Sequence, residues 1–203
     1  MAIMLKNFKM EGLLMNRKMI FTALIAASLG MSACQASTEF ESKEDSLPVS
    51  EKAVAPVNVD MINSEGIEIG TATLTEAPKG VTIRLKAEGL ESGTKAIHLH
   101  ETGKCEKPDF TSAGEHFNPA KKQHGFDNPK GFHAGDLPNI EIDDNGTVDV
   151  ELHAPDVTLQ HGKKNSLLDE DGSAIIIHER EDDYMTDPAG NSGDRIACGA
   201  LVN

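Results

Sequence analysis

The chain has 203 residues, with 33 Asp and Glu against 19 Lys and Arg, and a formal charge of −14. That acidity, without any cluster of Lys and Arg, excludes a phosphate-binding face and with it nucleic acid as a partner. With no tryptophan, few aromatics and 18 glycines, the composition suits one domain of many short strands around a core of Val, Ile, Leu and Ala.

Met1–Leu14 carries no structural pattern. A second candidate start at Met15 is followed by Asn16-Arg17-Lys18 and the apolar run Met19–Met31, ending Ser32-Ala33-Cys34. A charged start, an apolar stretch too short for a comfortable membrane span and small residues before a break point read as an export signal. The small-small-Cys ending resembles a bacterial lipoprotein signal, although Met31 stands where Leu is usual. Residues 1–33 are therefore expected to be an upstream extension plus signal peptide, with Met15 the true start and Cys34 the lipidated first residue of the mature chain. Residues 34–53 form an acidic linker (Glu39, Glu41, Glu44, Asp45, Glu51) too polar to bury a core. Loss of residues 1–33 removes Lys6, Lys9, Arg17, Lys18 and Glu11, so four positive charges and one negative leave −14 for about −17.

Residues 54–203 make up the folded domain. Val57–Ile62, Ile67–Leu74 and Val81–Ala87 alternate apolar with polar, separated by turn signals at Ser64–Gly66 and Pro78–Gly80. Such alternation predicts antiparallel strands with one wet face. Asn139–Ile142 and Thr147–Leu152 flank Asp144-Asn145-Gly146, which signals a two-residue hairpin. Ala174–His178 reads as a buried strand and Ile196–Val202 as the last; no amphipathic helix of three turns is present. About eight short strands and two long loops predict an all-β antiparallel sandwich or barrel.

Between the third and fourth of these elements lies Ile97–Asp136, long, polar and holding five of the eight histidines. Burial cannot order such a loop; metal can. His98 and His100 at i and i+2 project from one face of a strand. His116, His124 and His133 follow with Asp136, and His178 ends a buried strand. Each alone has a bland reading, as a solvated or hydrogen-bonded histidine, but six histidines and one aspartate amount to seven ligand candidates. Two four-coordinate sites need eight, so one imidazole could serve two metals. Nitrogen-rich sets suit copper, and three His with one Asp suit tetrahedral zinc.

The motifs Ala96-Ile-His-Leu-His-Glu101, Ser112-Ala-Gly-Glu-His-Phe-Asn-Pro119, His133-Ala-Gly-Asp-Leu-Pro-Asn139, Ile176-Ile-His-Glu179 and Gly190-Asn-Ser-Gly-Asp-Arg-Ile-Ala-Cys-Gly199 resemble the copper/zinc superoxide dismutases, in their bacterial exported branch. The resemblance runs in order from about Val57 to Val202. It implies an eight-stranded Greek-key barrel with a zinc/disulfide loop and an electrostatic loop. Copper would be held by His98, His100, His116 and His178, and zinc by His116, His124, His133 and Asp136, with His116 the bridge. Cys105 and Cys198 would form the disulfide, which leaves Cys34 for the lipid. Arg195 would hold the anion beside copper, and Asp182 would hydrogen-bond one copper histidine and one zinc histidine. His153 and His161 match nothing and read as surface residues.

The implied reaction is dismutation of superoxide to hydrogen peroxide and oxygen, with the His116–copper bond breaking on reduction and its nitrogen taking a proton. Two alternatives stand beside it: a non-catalytic metal-binding domain on the same fold, or a copper-buffering lipoprotein. The loop Glu179–Arg195 carries six acids against Arg180 and Arg195, and Asp194 directly precedes Arg195. No lysine steers superoxide as in eukaryotic relatives, so steering is expected to be weak. The expected location is the cell envelope, tethered on an extracytoplasmic face. Monomer and homodimer both stay open.

Overall fold

Nine strands and one short 3-10 helix (Thr111–Ala113) make up the regular structure of residues 54–202, which a computed structural model describes. The strands are β1 (Val57–Asn63), β2 (Glu68–Glu76), β3 (Val81–Ala87), β4 (Gly93–Lys95), β5 (Ile97–His100), β6 (Ile140–Ile142), β7 (Val148–Ala154), β8 (Ser173–His178) and β9 (Arg195–Leu201). The described residues form one compact unit. The expected signal segment, Cys34 and the acidic linker lie outside the described residues.

Seven strands form one curled antiparallel sheet in the order β5-β8-β9-β1-β2-β3-β7, and β4 pairs with β6 in a second, two-stranded sheet. β4 and β5 are two halves of one run that changes partner at Ala96. There Ala96 N–H donates to Arg180 O and Ala96 O accepts from His178 N–H. Counted as one strand, they bring the total to the eight expected.

The alternation read in the sequence works as side-chain parity. Val59 and Met61, then Ala72 and Leu74, then Val81, Ile83 and Leu85 all turn inward. Each such side chain stabilises the fold by roughly 1.5–3 kcal/mol on full burial. β5 and β8 are buried on both faces. Ile97, Leu99, Ile175 and Ile177 enter the main core. On the opposite face Ala174 and Ile176 join Phe110, Ala113 and Cys198 in a smaller cluster. That second face carries His98 and His100, and a long loop covers it.

The hairpin expected at Asp144-Asn145-Gly146 is not one. The turn forms, with Gly146 N–H on Asp143 O at 2.9 Å, but β6 pairs with β4 and β7 with β3. Asp143 closes the turn: its N–H donates to Thr147 O at 3.0 Å and its carboxylate accepts from Asn145 N–H, Thr147 N–H and the Thr147 hydroxyl, but the pairing stops there and does not continue into β6 and β7. Gly146 O is taken by Leu90 N–H.

Candidate metal centre

β5 is the edge of the large sheet, and an open edge must be covered. Two stretches of the loop cover it. Phe117 N–H donates to Leu99 O at 2.8 Å, Leu99 N–H to Gly135 O at 2.9 Å, and Glu101 N–H to Glu115 O at 2.9 Å. This pairing sets His116 opposite His100 and Asp136 opposite His98. Gly135 is required there, since a Cβ would lie 2.3 Å from Leu99 O. His178 comes from the end of β8, where a register shift between Ile177 and His178 re-aims the ring.

Two ligand-type clusters result. His98, His100, His116 and His178 form one, and His116, His124, His133 and Asp136 the other, with one potential ligand atom per residue lying within 4.8 Å of the rest. All seven residues are buried. The two clusters share His116 through different nitrogens.

On the Asp136 side three imidazoles converge on one oxygen. His116 Nδ1, His124 Nδ1 and His133 Nδ1 lie 2.9, 3.0 and 3.2 Å from Asp136 Oδ1, and His133 Nδ1 lies 3.4 Å from His116 Nδ1. A tetrahedral ion with bonds near 2.0–2.1 Å separates its ligand atoms by about 3.3 Å, so the set has the size zinc requires. The other carboxylate oxygen is held by the N–H groups of Gly125 and His133, each at 3.0 Å.

On the other side the ring tautomers are set from behind. His98 Nε2 lies 2.8 Å from Asp182 Oδ2, His100 Nδ1 3.0 Å from Gly114 O, and His178 Nδ1 3.4 Å from Gly193 O. Facing acceptor oxygens, these nitrogens carry hydrogen. The opposite nitrogens, His98 Nδ1, His100 Nε2 and His178 Nε2, have no hydrogen-bond partner, and neither does His116 Nε2. Four buried lone pairs without donors are a metal site by elimination, because orphaned buried polar atoms are costly. A four-nitrogen set suits Cu(II).

Asp182 ties the two clusters together. Its Oδ1 accepts from His124 Nε2 at 2.9 Å and its Oδ2 from His98 Nε2 at 2.8 Å. His98, His124 and Asp182 also group as ligand types, but each of those imidazoles already turns its other nitrogen into a cluster. Residues that sequence reading had not singled out hold Asp182. Asn139 accepts from its N–H and donates to its C=O, each at 2.9 Å, and Tyr184 N–H donates to Oδ1 at 2.7 Å. Gly190, at φ 60°, passes so close that a Cβ would overlap Asp182 Oδ1. Asn139 and Gly190 each stand at one end of a motif quoted above, the one signal that could have found them.

Charge follows the same division. Burial, reinforced by the neighbouring imidazoles, pushes His116 down to about 3 and His178 to about 2; His98 and His100 are also lowered by burial. Burial also disfavours a charged His124, but hydrogen bonds to Asp136 and Asp182 outweigh it and raise that ring to about 9. Burial would raise both carboxylates, yet their hydrogen bonds hold them below the usual range.

Arg195, at the start of β9, is half-buried, and its guanidinium is fixed by two backbone carbonyls, Phe110 O and Gly114 O, each at 2.8 Å. Cys105 and Cys198 are joined in a disulfide, which fastens the loop carrying Phe110 and Gly114 to β9. His153 and His161 are exposed and belong to neither cluster.

Residues 68–201 match the family model for copper/zinc superoxide dismutase. The chain is 53% identical over 145 residues to superoxide dismutase [Cu-Zn] 1 of Aquifex aeolicus, covering 71% of this chain and 86% of that one. It is 51% identical over 147 residues to the superoxide dismutase-like protein YojM of Bacillus subtilis, covering 71% and 75%. Among solved structures, a double mutant of a SOD-like protein from Bacillus subtilis superposes with a TM-score of 0.71 at 52% identity, covering 72% of this chain and 97% of that one.

Proposed function

The chain belongs to the copper/zinc superoxide dismutase family, and we propose that it dismutates superoxide with copper on His98, His100, His116 and His178 and zinc on His116, His124, His133 and Asp136. The observation that carries this reading is the division of His116: Nδ1 turns to the Asp136 cluster, while Nε2 has no partner on the side of the other three histidines. Copper would supply one-electron chemistry, accepting from one superoxide and donating to the next, whereas zinc has no redox chemistry and shapes the site.

The chain's own residues supply the rest. Arg195 offers a fixed cation to the anion, with its orientation set by two carbonyls. His116 Nε2 is the atom placed to hold a proton and pass it on, since two superoxide and two protons yield hydrogen peroxide and oxygen. Asp182 orients His98 and His124 and fixes which nitrogen of each faces its cluster, as outer partners of metal histidines do.

Export and lipidation of Cys34 belong to the same proposal. The Cys105–Cys198 bond suits an oxidising compartment and leaves Cys34 as the unpaired one of three cysteines. Labelling with a fatty acid, compared between the parent and Cys34→Ser, tests the anchor; equal labelling rejects it.

The test of function is metal analysis of the purified protein with a superoxide-removal assay with and without cyanide. One copper and one zinc per chain with cyanide-sensitive removal supports the enzyme. Zinc alone after copper loading, without activity, favours a metal-binding domain, a reading kept in view by the dismutase-like name of one relative.

A further inference from the structure

A cleft of about 460 Å3 opens beside Arg195, lined by Ser64 from the β1–β2 turn, Asp109 and Thr111 from the first long loop, and Asp194 and Arg195 at the start of β9. Among the described residues, Arg195 is the only cation lining it, against two carboxylates. Asp109 and, from outside the lining, Glu115 are within electrostatic range of the guanidinium. The nearby Arg180 does not restore the balance, because it is paired with Glu179 at 3.0 Å.

Neither carboxylate is incidental. Asp109 Oδ1 accepts from Thr111 N–H at 3.1 Å and the Thr111 hydroxyl at 2.9 Å, which fixes the charge in place and favours the ionised form. Asp194 is exposed. Its backbone oxygen accepts from Glu179 N–H, while its carboxylate has no partner among the described residues. Arg195 already spends two donors on carbonyls. An anion entering the cleft therefore meets two carboxylates against one guanidinium from the protein itself, beside the positive charge that bound copper and zinc would add. Sequence alone pointed to Asp194; the fold brings Asp109 to the same opening from the other loop.

We infer that Asp109 and Asp194 are rate-setting residues at the cleft that oppose anion entry and offset part of the attraction of Arg195 and the bound metals. The inference takes its substrate from the dismutase reading but concerns the entrance, not the chemistry. Exposed charges are screened over about 8 Å at physiological salt, so added salt relieves the opposition. The gain from removing either carboxylate therefore shrinks as ionic strength rises. A unit charge about 7 Å from an anion in water changes its local concentration by roughly two- to threefold, and that is the gain expected from neutralising each residue at low salt.

The test uses the copper- and zinc-loaded protein and its Asp109→Asn, Asp194→Asn and doubly substituted forms. The amide introduced by Asp109→Asn keeps an oxygen for Thr111, and Asp194→Asn breaks no side-chain contact, so the fold is not at stake. Two quantities are followed against ionic strength: the second-order rate with superoxide, and azide affinity from the copper absorption band. Expected are variants whose rate and azide affinity exceed the parent's at low salt and converge on it as salt rises. Variants indistinguishable from the parent at low salt, or a gain that persists undiminished at high salt, would overturn the inference. Azide reports entrance charge whether or not the protein turns over superoxide. Tighter azide binding in the variants of a protein that lacks dismutation would uphold the entrance effect and reject the dismutase reading.

Discussion

Arg195 and His100 share one acceptor, the carbonyl of Gly114, which takes Arg195 Nη2 at 2.8 Å and lies 3.0 Å from His100 Nδ1. The anion-holding cation and a copper-side imidazole are thus registered against the same backbone atom, and movement of that loop would shift both. Arg195→Ala should cut kcat/KM for superoxide by roughly ten- to a hundredfold through loss of a fixed charge at the reacting position. Arg195→Lys should recover only part of it, because an ammonium cannot span both carbonyls. Copper content should stay unchanged in both, since His100 keeps its own bond to Gly114 O.

Asp182 has two oxygens and two imidazoles to serve. Asn keeps one acceptor, so Asp182→Asn leaves either His98 or His124 without its partner. Loss of such an outer partner typically costs about ten- to a hundredfold in metal affinity. Competition with a chelator should show that loss for at least one of the two metals, while unchanged affinity for both would mean that Asp182 orients neither ring.

The metal-free protein should be most stable near neutrality, with unequal sides. His98, His100, His116 and His178 are depressed, His116 to about 3 and His178 to about 2. Unfolding lets each bind a proton near its ordinary value of about 6.5, so stability falls as pH drops below that value toward the folded ones. The depressed carboxylates Asp136 and Asp182 add to the acid loss below about pH 4. His124 acts in the opposite sense. Raised to about 9, its contribution is complete below about pH 6.5 and is lost as pH climbs through 9. Melting temperatures across pH should peak near 6.5–7 and fall more steeply on the acid side, where several groups act against one. Zinc must displace the His124 proton, so zinc uptake should release protons and strengthen up to about pH 9.

Reduction of Cys105–Cys198 opens a link across 93 residues. In the chain-entropy description such a crosslink contributes about 4–5 kcal/mol, an upper figure. The reduced protein should melt markedly lower. It should also lose activity before it loses zinc, because the bond fastens the stretch bearing Phe110 O and Gly114 O, on which Arg195 depends, whereas His124, His133 and Asp136 lie farther along the loop.

Much of this architecture was written locally. The period-two runs at Val57, Ile67 and Val81 became β1, β2 and β3 because inward parity is a property of neighbouring residues. The i, i+2 spacing put His98 and His100 on one face for the same reason. What was not legible depends on contacts distant in the chain. Nothing around Asn145-Gly146 says that Asp143 closes the turn alone and lets β6 and β7 part. Nothing near Asp109 says that it faces Arg195 across a cleft. Tyr184, Asn139 and Gly190 look like ordinary loop residues until the second long loop is laid over the first, where they fix Asp182.

The central claim is that one imidazole, His116, serves two metals. The most direct measurement is the electron paramagnetic resonance of the protein carrying Cu(II) with Co(II) in place of zinc. Two paramagnetic ions joined through His116 should couple, so the copper signal seen with zinc should be strongly diminished with cobalt. A copper signal unchanged by cobalt, in protein shown to hold both metals, would contradict a shared His116.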